Sequence, residues 1–160
     1  MTSEFMRNLL SKDEKITVEY KSCQYGIQED VYETVCSFSN RYGGYIIMGA
    51  EDDGTPIGVK QNMVKDMKRN FVNQLNNPDK MSPTLYLSIE DFEYEGKILL
   101  WVYVPPTATV EKCGNRIYDR NEDGDMDITD SPIQLQNMYN RKSTTYAEHK
   151  IFPYVTKEIG

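Results

Sequence analysis

Residues 39–58 have the sequence SNRYGGYIIMGAEDDGTPIG, and this stretch decides the fold. The Gly43-Gly44 pair supplies the positive φ that the end of a helix usually needs. Residues 45–50 carry no charged side chain, which is typical of a strand covered on both faces. The Asp53-Gly54 dipeptide is a hairpin signal. We therefore expect a helix end, then a buried strand, then an acidic turn at 51–53.

Periodic patterns on either side of this stretch predict an α+β fold. Apolar residues recur at helical spacing in 29–41 and in 63–76. Alternation in 84–94 and the apolar run 97–104 predict an antiparallel hairpin beside the strand at 45–50. We expect a mixed, mostly antiparallel sheet with two to three helices packed on it. Shorter elements are expected as strands at 16–21, 56–59 and 116–120, and as a helix at 131–142.

The chain divides into three expected parts. Residues 1–12 form an N-terminal arm or short helix that packs on the domain or on a second copy, so a homodimer is one expected assembly. Residues 13–142 form the domain itself. Residues 143–160 show little periodicity and are expected to be a C-terminal extension or linker.

Composition limits the classes of function. With 39% hydrophobic and 27% charged residues, the chain is expected to be a globular cytoplasmic protein with no membrane partner. Its three cysteines form no CxxC pair and are expected to be free thiols. The net charge of −7 argues against strong, sequence-independent binding to phosphate backbones, because such binding needs clustered lysines and arginines.

An acidic group is the first candidate site. Glu14, Glu19 and Asp52 could together hold Mg²⁺ or Mn²⁺, since these hard cations prefer carboxylate oxygens. Lys21 lies two residues beyond Glu19 on the same strand face, where it could hold a phosphate or balance the carboxylates. The simpler alternative is a surface ion pair between Glu19 and Lys21, with Asp52 in an ordinary turn.

An acidic stretch at 119–130 is a second candidate metal site. Its spacing approaches that of a calcium-binding loop, and the side chains that would bind Ca²⁺ are Asp119, Asn121, Asp123, Asp125 and Asp130. A solvated acidic turn is the alternative interpretation. No cofactor beyond Mg²⁺, Mn²⁺ or Ca²⁺ is indicated.

Basic residues form the third candidate site, a surface for nucleic acid. The cations expected to contact phosphates are Lys60, Lys65, Lys68, Arg69, Arg116 and Arg120. Four tyrosines could stack on bases, namely Tyr42, Tyr45, Tyr118 and Tyr139. The alternative is that the charges are solvated and the tyrosines are half-buried packing residues.

Several motifs together resemble the Schlafen AlbA-like domain, which is described as a DNA-binding domain of RecG-like transcriptional regulators. The resemblance spans residues 13–142, and its motifs are Val18-Glu19-Tyr20-Lys21, Asn40-x-x-Gly43-Gly44-Tyr45, Gly49-x-Glu51-Asp52-Asp53-Gly54 and Tyr103-Val104-Pro105. It implies a nucleic-acid-binding module of a transcriptional-regulator-like protein with no catalysis of its own. Nuclease members of the family place metal-binding carboxylates at positions that match Glu14, Glu19 and Asp52, with Glu51 as the alternative to Asp52.

The sequence therefore supports three functional hypotheses. The first is nucleic-acid binding, to DNA or RNA. The second is a Mg²⁺- or Mn²⁺-dependent endoribonuclease that uses Glu14, Glu19 and Asp52. The third is a protein-interaction or dimerisation domain.

Overall fold

The computed structural model of the protein describes residues 1–11 and 16–144. In chain order the α-helices and strands are α1 (Ser3–Leu10), β1 (Val18–Lys21), α2 (Asp30–Ser39), β2 (Gly44–Met48), α3 (Val64–Leu75), β3 (Met81–Ser82), β4 (Ile89–Tyr94), β5 (Lys97–Val104), β6 (Lys112–Cys113), β7 (Tyr118–Asn121), β8 (Gly124–Asp127) and α4 (132–144). A short 3₁₀ turn, Gln61–Met63, leads into α3.

The central sheet has four strands in the order β1-β2-β5-β4. β1 and β2 are parallel because α2 crosses between them, whereas the β2–β5 and β5–β4 pairs are antiparallel. Two smaller sheets pair β3 with β6 and β7 with β8. The expected α+β fold with a mixed, mostly antiparallel sheet is thus confirmed.

One face of the sheet packs against α2 and α3. Val31, Val35 and Phe38 recur at i, i+4 and i+7 along α2, and each is 0% exposed. They meet Ile46 and Met48 of β2 in the larger hydrophobic core. The predicted packing of the α2 stripe on this strand is therefore present.

The opposite face of the sheet packs against α1. Met6 and Leu9 are buried against Val18, Tyr20 and other apolar residues of this face, and the Tyr20 hydroxyl donates to the carbonyl of Leu9. Because α1 has only eight residues, it covers only part of the face. Several aromatic side chains of α1 and of the strands beside it stay partly exposed, namely Phe5, Tyr45, Phe92, Trp101 and Tyr103.

The glycine pair works as the sequence predicts. Gly43 has φ +75°, and its N–H donates to the carbonyl of Phe38 at 2.9 Å, which closes the end of α2. A Cβ on Gly43 would lie 2.5 Å from the backbone oxygen of Val104. A Cβ on Gly44 would lie 2.5 Å from the backbone oxygen of Thr17. Close backbone approach therefore excludes larger residues where the helix turns into β2.

Several strand boundaries differ from the sequence prediction. β1 begins at Val18, not at 16, and β7 begins at Tyr118, not at 116. Two differences are larger. β4 begins at Ile89, not at 84, because its pairing with β5 ends at Val102 opposite Ile89. The side chains of 84–88 do alternate between the core and solvent, since Leu85 and Leu87 pack on the core while Tyr86 is 92% exposed. This segment is nevertheless not part of the strand. The return segment after the acidic turn makes one bridge, between Ala50 and Pro56, and forms no strand.

The β7–β8 hairpin and α4 enclose a small core of their own. Ile117, Ile128 and Met138 are its buried members. α4 is also fixed by Lys142, whose ammonium donates to the carbonyl oxygens of Ser39 and Thr107, each at 2.9 Å. No helix within 1–11 or 16–144 has the length and apolar character to cross a membrane.

A buried carboxyl lies close to this anchor. Glu111 is 0% exposed, and neither of its side-chain oxygens has a hydrogen-bond partner among the described residues. Its backbone is held by Asn40, whose side chain accepts from the Glu111 N–H at 2.8 Å and donates to the Glu111 carbonyl at 2.9 Å. Burial raises the pKa of Glu111 to about 8, and the charge of Lys142 opposes this rise. The neutral form is therefore favoured in the fold.

Replacing Glu111 by glutamine should stabilise the protein progressively more as the pH rises. The carboxyl has a pKa of 4.5 when unperturbed and of about 8 in the fold, so the folded state binds this proton more tightly. Its stabilising contribution is complete below pH 4.5 and is lost as the pH approaches 8. An amide does not ionise in this range. Thermal melts of both proteins should show a gap that widens over this window, and a pH-independent gap would contradict the assignment.

Candidate nucleic-acid interface

Arg120 forms the centre of a buried ion cluster. Its guanidinium donates to Glu19 and to Asp125, each at 2.8 Å, and lies 4.7 Å from the ring centroid of Phe38. Its side chain is 2% exposed. The structure places the charge of Arg120 largely in the interior, where it neutralises two carboxylates, so this geometry gives no support to its expected role as a phosphate contact.

The proposed catalytic residues are held in different ways. Lys21 lies 3.3 Å from Glu19 and 2.9 Å from Asp30. Burial acts to lower the pKa of Lys21, but the hydrogen bond to Asp30 and the charge of Glu19 outweigh it, so the pKa is raised. Asp52 lies on the exposed turn after β2. Glu14 lies outside the described residues. Glu19 and Lys21 thus form an ion pair, but with side chains only 13% and 11% exposed it is not the surface pair of the alternative interpretation.

The calcium-loop interpretation does not match the geometry of 119–130. The segment folds as the β7–β8 hairpin, in which Asp119 pairs with Met126 and Arg120 pairs with Asp125. Since successive strand residues point to opposite faces, Asp119 and Asp125 are directed apart. Asp119 binds Arg41 at 3.1 Å, and Asp130 binds Arg116 at 3.1 Å. The turn residues are also used locally, as Asn121 accepts from the N–H of Asp123 at 2.9 Å.

No cluster of three or more His, Cys, Asp or Glu residues that could hold a metal ion occurs in the described part of the chain. This covers Glu19 and Asp52 together with the four aspartates of the calcium hypothesis. It does not cover Glu14.

Most of the predicted phosphate-binding cations have carboxylate partners. Lys68 bonds to Asp91, and Arg69 lies 2.7 Å from Asp66 one helical turn away. Arg116 bonds to Asp127 at 2.8 Å as well as to Asp130. Lys65 is exposed on α3, and Lys60 lies 5.6 Å from the ring centroid of Tyr25. The cations are therefore spread over the surface and largely neutralised.

A groove lined by aromatic side chains lies beside α1. Its central cavity of about 330 Å³ lies between Phe5, Tyr42, Tyr45 and Tyr103. A second cavity of about 270 Å³ shares Phe5 and Tyr45 with the first and extends it to Trp101. A third of about 390 Å³ shares Tyr42 and continues past Arg41, Asn121 and Arg120. We call these three neighbouring cavities together the aromatic groove.

Strand register brings the rings of the groove together. Val18 of β1, Tyr45 of β2 and Tyr103 of β5 are directly paired, so all three point to the face that α1 covers in part. The Tyr45 ring lies 5.0 Å from Tyr103 and 5.6 Å from Phe5, measured between centroids. Tyr103 is 43% exposed, and Tyr42 at the helix end is 60% exposed.

Sequence reasoning identified part of this set. It named Tyr42 and Tyr45 as stacking residues and missed Phe5, Trp101 and Tyr103. The remaining predicted tyrosines do not line the groove: Tyr118 is half-buried on β7, and Tyr139 is 49% exposed on α4. The missed signal is the spacing of residues 101 and 103, which places two aromatic side chains on one face of β5.

Comparisons with known proteins identify relatives. A family model described as Schlafen, AlbA_2 matches residues 14–129. The NMR structure of the N-terminal domain of a protein from Nitrosomonas europaea, related to the ATP-dependent DNA helicase RecG, is similar with a TM-score of 0.51 and 25% identity. That match covers 65% of this chain and 72% of the other. Comparison with curated proteins gives no match.

A second solved structure shares the fold alone. The crystal structure of the DIP2311 protein from Corynebacterium diphtheriae has a TM-score of 0.55 and 16% identity, and the match covers 78% of this chain and 30% of that one.

Proposed function

This chain belongs to the Schlafen AlbA_2 family, and on that premise we propose that it is a nucleic-acid-binding domain of a transcriptional-regulator-like protein. The family match over residues 14–129 is the observation that carries this function. The similarity to the N-terminal domain of a RecG-related protein supports it. In this proposal the domain binds, and it performs no catalysis of its own.

The endoribonuclease alternative gains no support from the described residues. Glu19 is bound by Arg120 and Lys21, and a metal ion would have to displace both cations from its carboxylate. The turn that carries Asp52 lies against the end of α1, because a Cβ added to Gly54 would meet the carbonyl oxygen of Leu10.

Homodimer formation stays a prediction, which sedimentation of the purified chain would test.

Electrostatics suggests how such a domain would bind. The net charge is −7, and Lys68, Arg69 and Arg116 are paired with carboxylates. Release of counterions from phosphates would therefore supply only a small part of the binding free energy. Contacts with bases must supply more of it, and stacking on aromatic side chains is the interaction that tolerates any base sequence.

Affinity for nucleic acid should consequently depend weakly on salt. A plot of log affinity against log salt concentration should have a slope of about −1 to −2, as expected for two or three phosphate contacts. Replacing both Lys60 and Lys65 by alanine tests the predicted contacts around α3, because loss of two phosphate contacts would flatten the slope by about one unit. The matched control replaces Lys68 and Arg69, which are already paired, and should change the slope less.

Fluorescence anisotropy with a labelled oligonucleotide at several salt concentrations measures this dependence. A slope steeper than about −5 would indicate an extensive phosphate-binding surface and contradict the electrostatic description. Absence of binding to both DNA and RNA at about 50 mM salt, where phosphate contacts are favoured, would contradict the proposed function.

A further inference from the structure

We propose that the aromatic groove binds single-stranded nucleic acid, with unpaired bases stacked on Tyr42 and Tyr103. This rests on the nucleic-acid-binding function proposed above and assigns it both a surface and a strand state. The groove lies outside the basic residues of α3 and outside the acidic turn at 51–53, and it includes Tyr42 and Tyr45, two of the tyrosines that the sequence predicts as stacking residues.

The shape of the groove suits an extended, unpaired strand. Its three cavities adjoin through shared residues, Phe5 and Tyr45 at one junction and Tyr42 at the other. Volumes of about 270, 330 and 390 Å³ lie just below or at the small end of the range for ligand pockets, as suits groups the size of a base. A chain that places successive bases in successive cavities would follow this groove.

The rings of the groove leave faces open for stacking. Tyr45 meets Phe5 at an interplanar angle of 64°, Tyr103 at 49° and Trp101 at 40°. None of these contacts is a parallel stack, so the outer rings do not cover one another. Every base has an apolar π-face, and stacking on a tyrosine therefore needs no particular sequence.

Charge favours a single strand over a duplex at this site. The bases of a duplex are already stacked inside the helix, and its outer surface must be held through phosphates. The groove offers Arg41, which lies 5.7 Å from the Tyr42 ring centroid but is also paired with Asp119. The cavity that contains Arg41 is also lined by Glu122 and Asp123, which disfavour a dense array of phosphates there. One partly neutralised cation can assist a stacked base through a cation–π contact, but it cannot replace a basic surface.

The test uses the full chain and an oligothymidylate of about 12 nucleotides, within the range of single-strand site sizes. Trp101 is the only tryptophan and lines the groove, so its fluorescence should be quenched when the strand binds. Tyr42→Ala and Tyr103→Ala should each weaken binding roughly tenfold, the order expected for loss of one stacked base. Tyr42→Phe should retain affinity.

Tyr86→Ala is the matched control. Tyr86 is 92% exposed and lies outside the three cavities of the groove, so its loss should leave affinity unchanged. Circular dichroism melts of each variant show whether the fold is kept. A duplex of the same length should bind at least tenfold more weakly than the single strand.

The possible failures can be distinguished. If the wild type binds neither strand form, the proposed nucleic-acid function fails and the groove assignment fails with it. Should the duplex bind as tightly as the single strand, or Tyr42→Ala and Tyr103→Ala bind like the wild type, the groove assignment alone is overturned. A Tyr103→Ala change that converts a dimer into a monomer at unaltered affinity would also overturn it, because the groove would then be an interface between copies.

Discussion

Replacing Arg120 by alanine should lower the free energy of unfolding by about 3–5 kcal/mol, the usual cost of removing one partner of a buried ion pair. The guanidinium is 2% exposed and neutralises Glu19 and Asp125, whose side chains are 13% and 17% exposed. Its removal would leave both carboxylates without this cation and open a void beside Phe38. Urea denaturation of wild type and variant measures the difference.

Two further variants separate charge from packing. Arg120→Met combined with Glu19→Gln and Asp125→Asn removes the buried charges together and should recover part of the lost stability. Arg116→Ala removes a surface arginine that also contacts two carboxylates, and should change stability little, because exposed ion pairs contribute little. A loss below about 1 kcal/mol for Arg120→Ala is the size expected for an exposed ion pair. It would contradict the claim that this buried ion cluster stabilises the fold.

Gly43→Ala should destabilise the fold by about 2–5 kcal/mol, adding the cost of a left-handed residue to that of overpacking. Gly43 has φ +75°. An added Cβ would lie 2.5 Å from the oxygen of Val104 and 2.9 Å from Cδ of Pro106. Neither neighbour can yield without moving the end of β5.

Gly96→Ala is the matched control for this substitution. Gly96 also has φ +75°, but nothing lies within 4 Å of the Cβ that would be added. It should therefore show only the conformational cost of about 1–2 kcal/mol. Equal losses for the two variants, measured by thermal or urea unfolding, would show that the close approach of β2 and β5 at Gly43 does not constrain the fold.

The elements that depend on local pattern could be predicted from the sequence. The stripe of Val31, Val35 and Phe38 has a helical period, so it identifies both α2 and its buried face. The uncharged run before the acidic turn predicts β2, and the β4–β5 hairpin follows from alternation around a tight turn. In each case the residues that determine the element lie within one short segment.

The candidate site could not be predicted in the same way. Arg120 and Glu19 are far apart in the chain, and nothing near either residue indicates that they pair in the interior. The calcium pattern at 119–130 matches a spacing, but alternation in a hairpin directs Asp119 and Asp125 to opposite faces. The groove combines Phe5 of α1 with Tyr45 and Tyr103 of two strands, so it can be recognised only once the strand order is known.

The central claim is that nucleic acid contacts this domain in the aromatic groove. Photo-cross-linking of the full chain to an oligothymidylate that carries photoreactive bases, followed by mass spectrometry of the peptides, tests it most directly. The expected result is attachment at Tyr42, Trp101 or Tyr103, competed by unlabelled single strand and weakly by duplex. Attachment confined to the α3 segment around Lys65 and Arg69 would contradict the claim and return the interface to the basic surface.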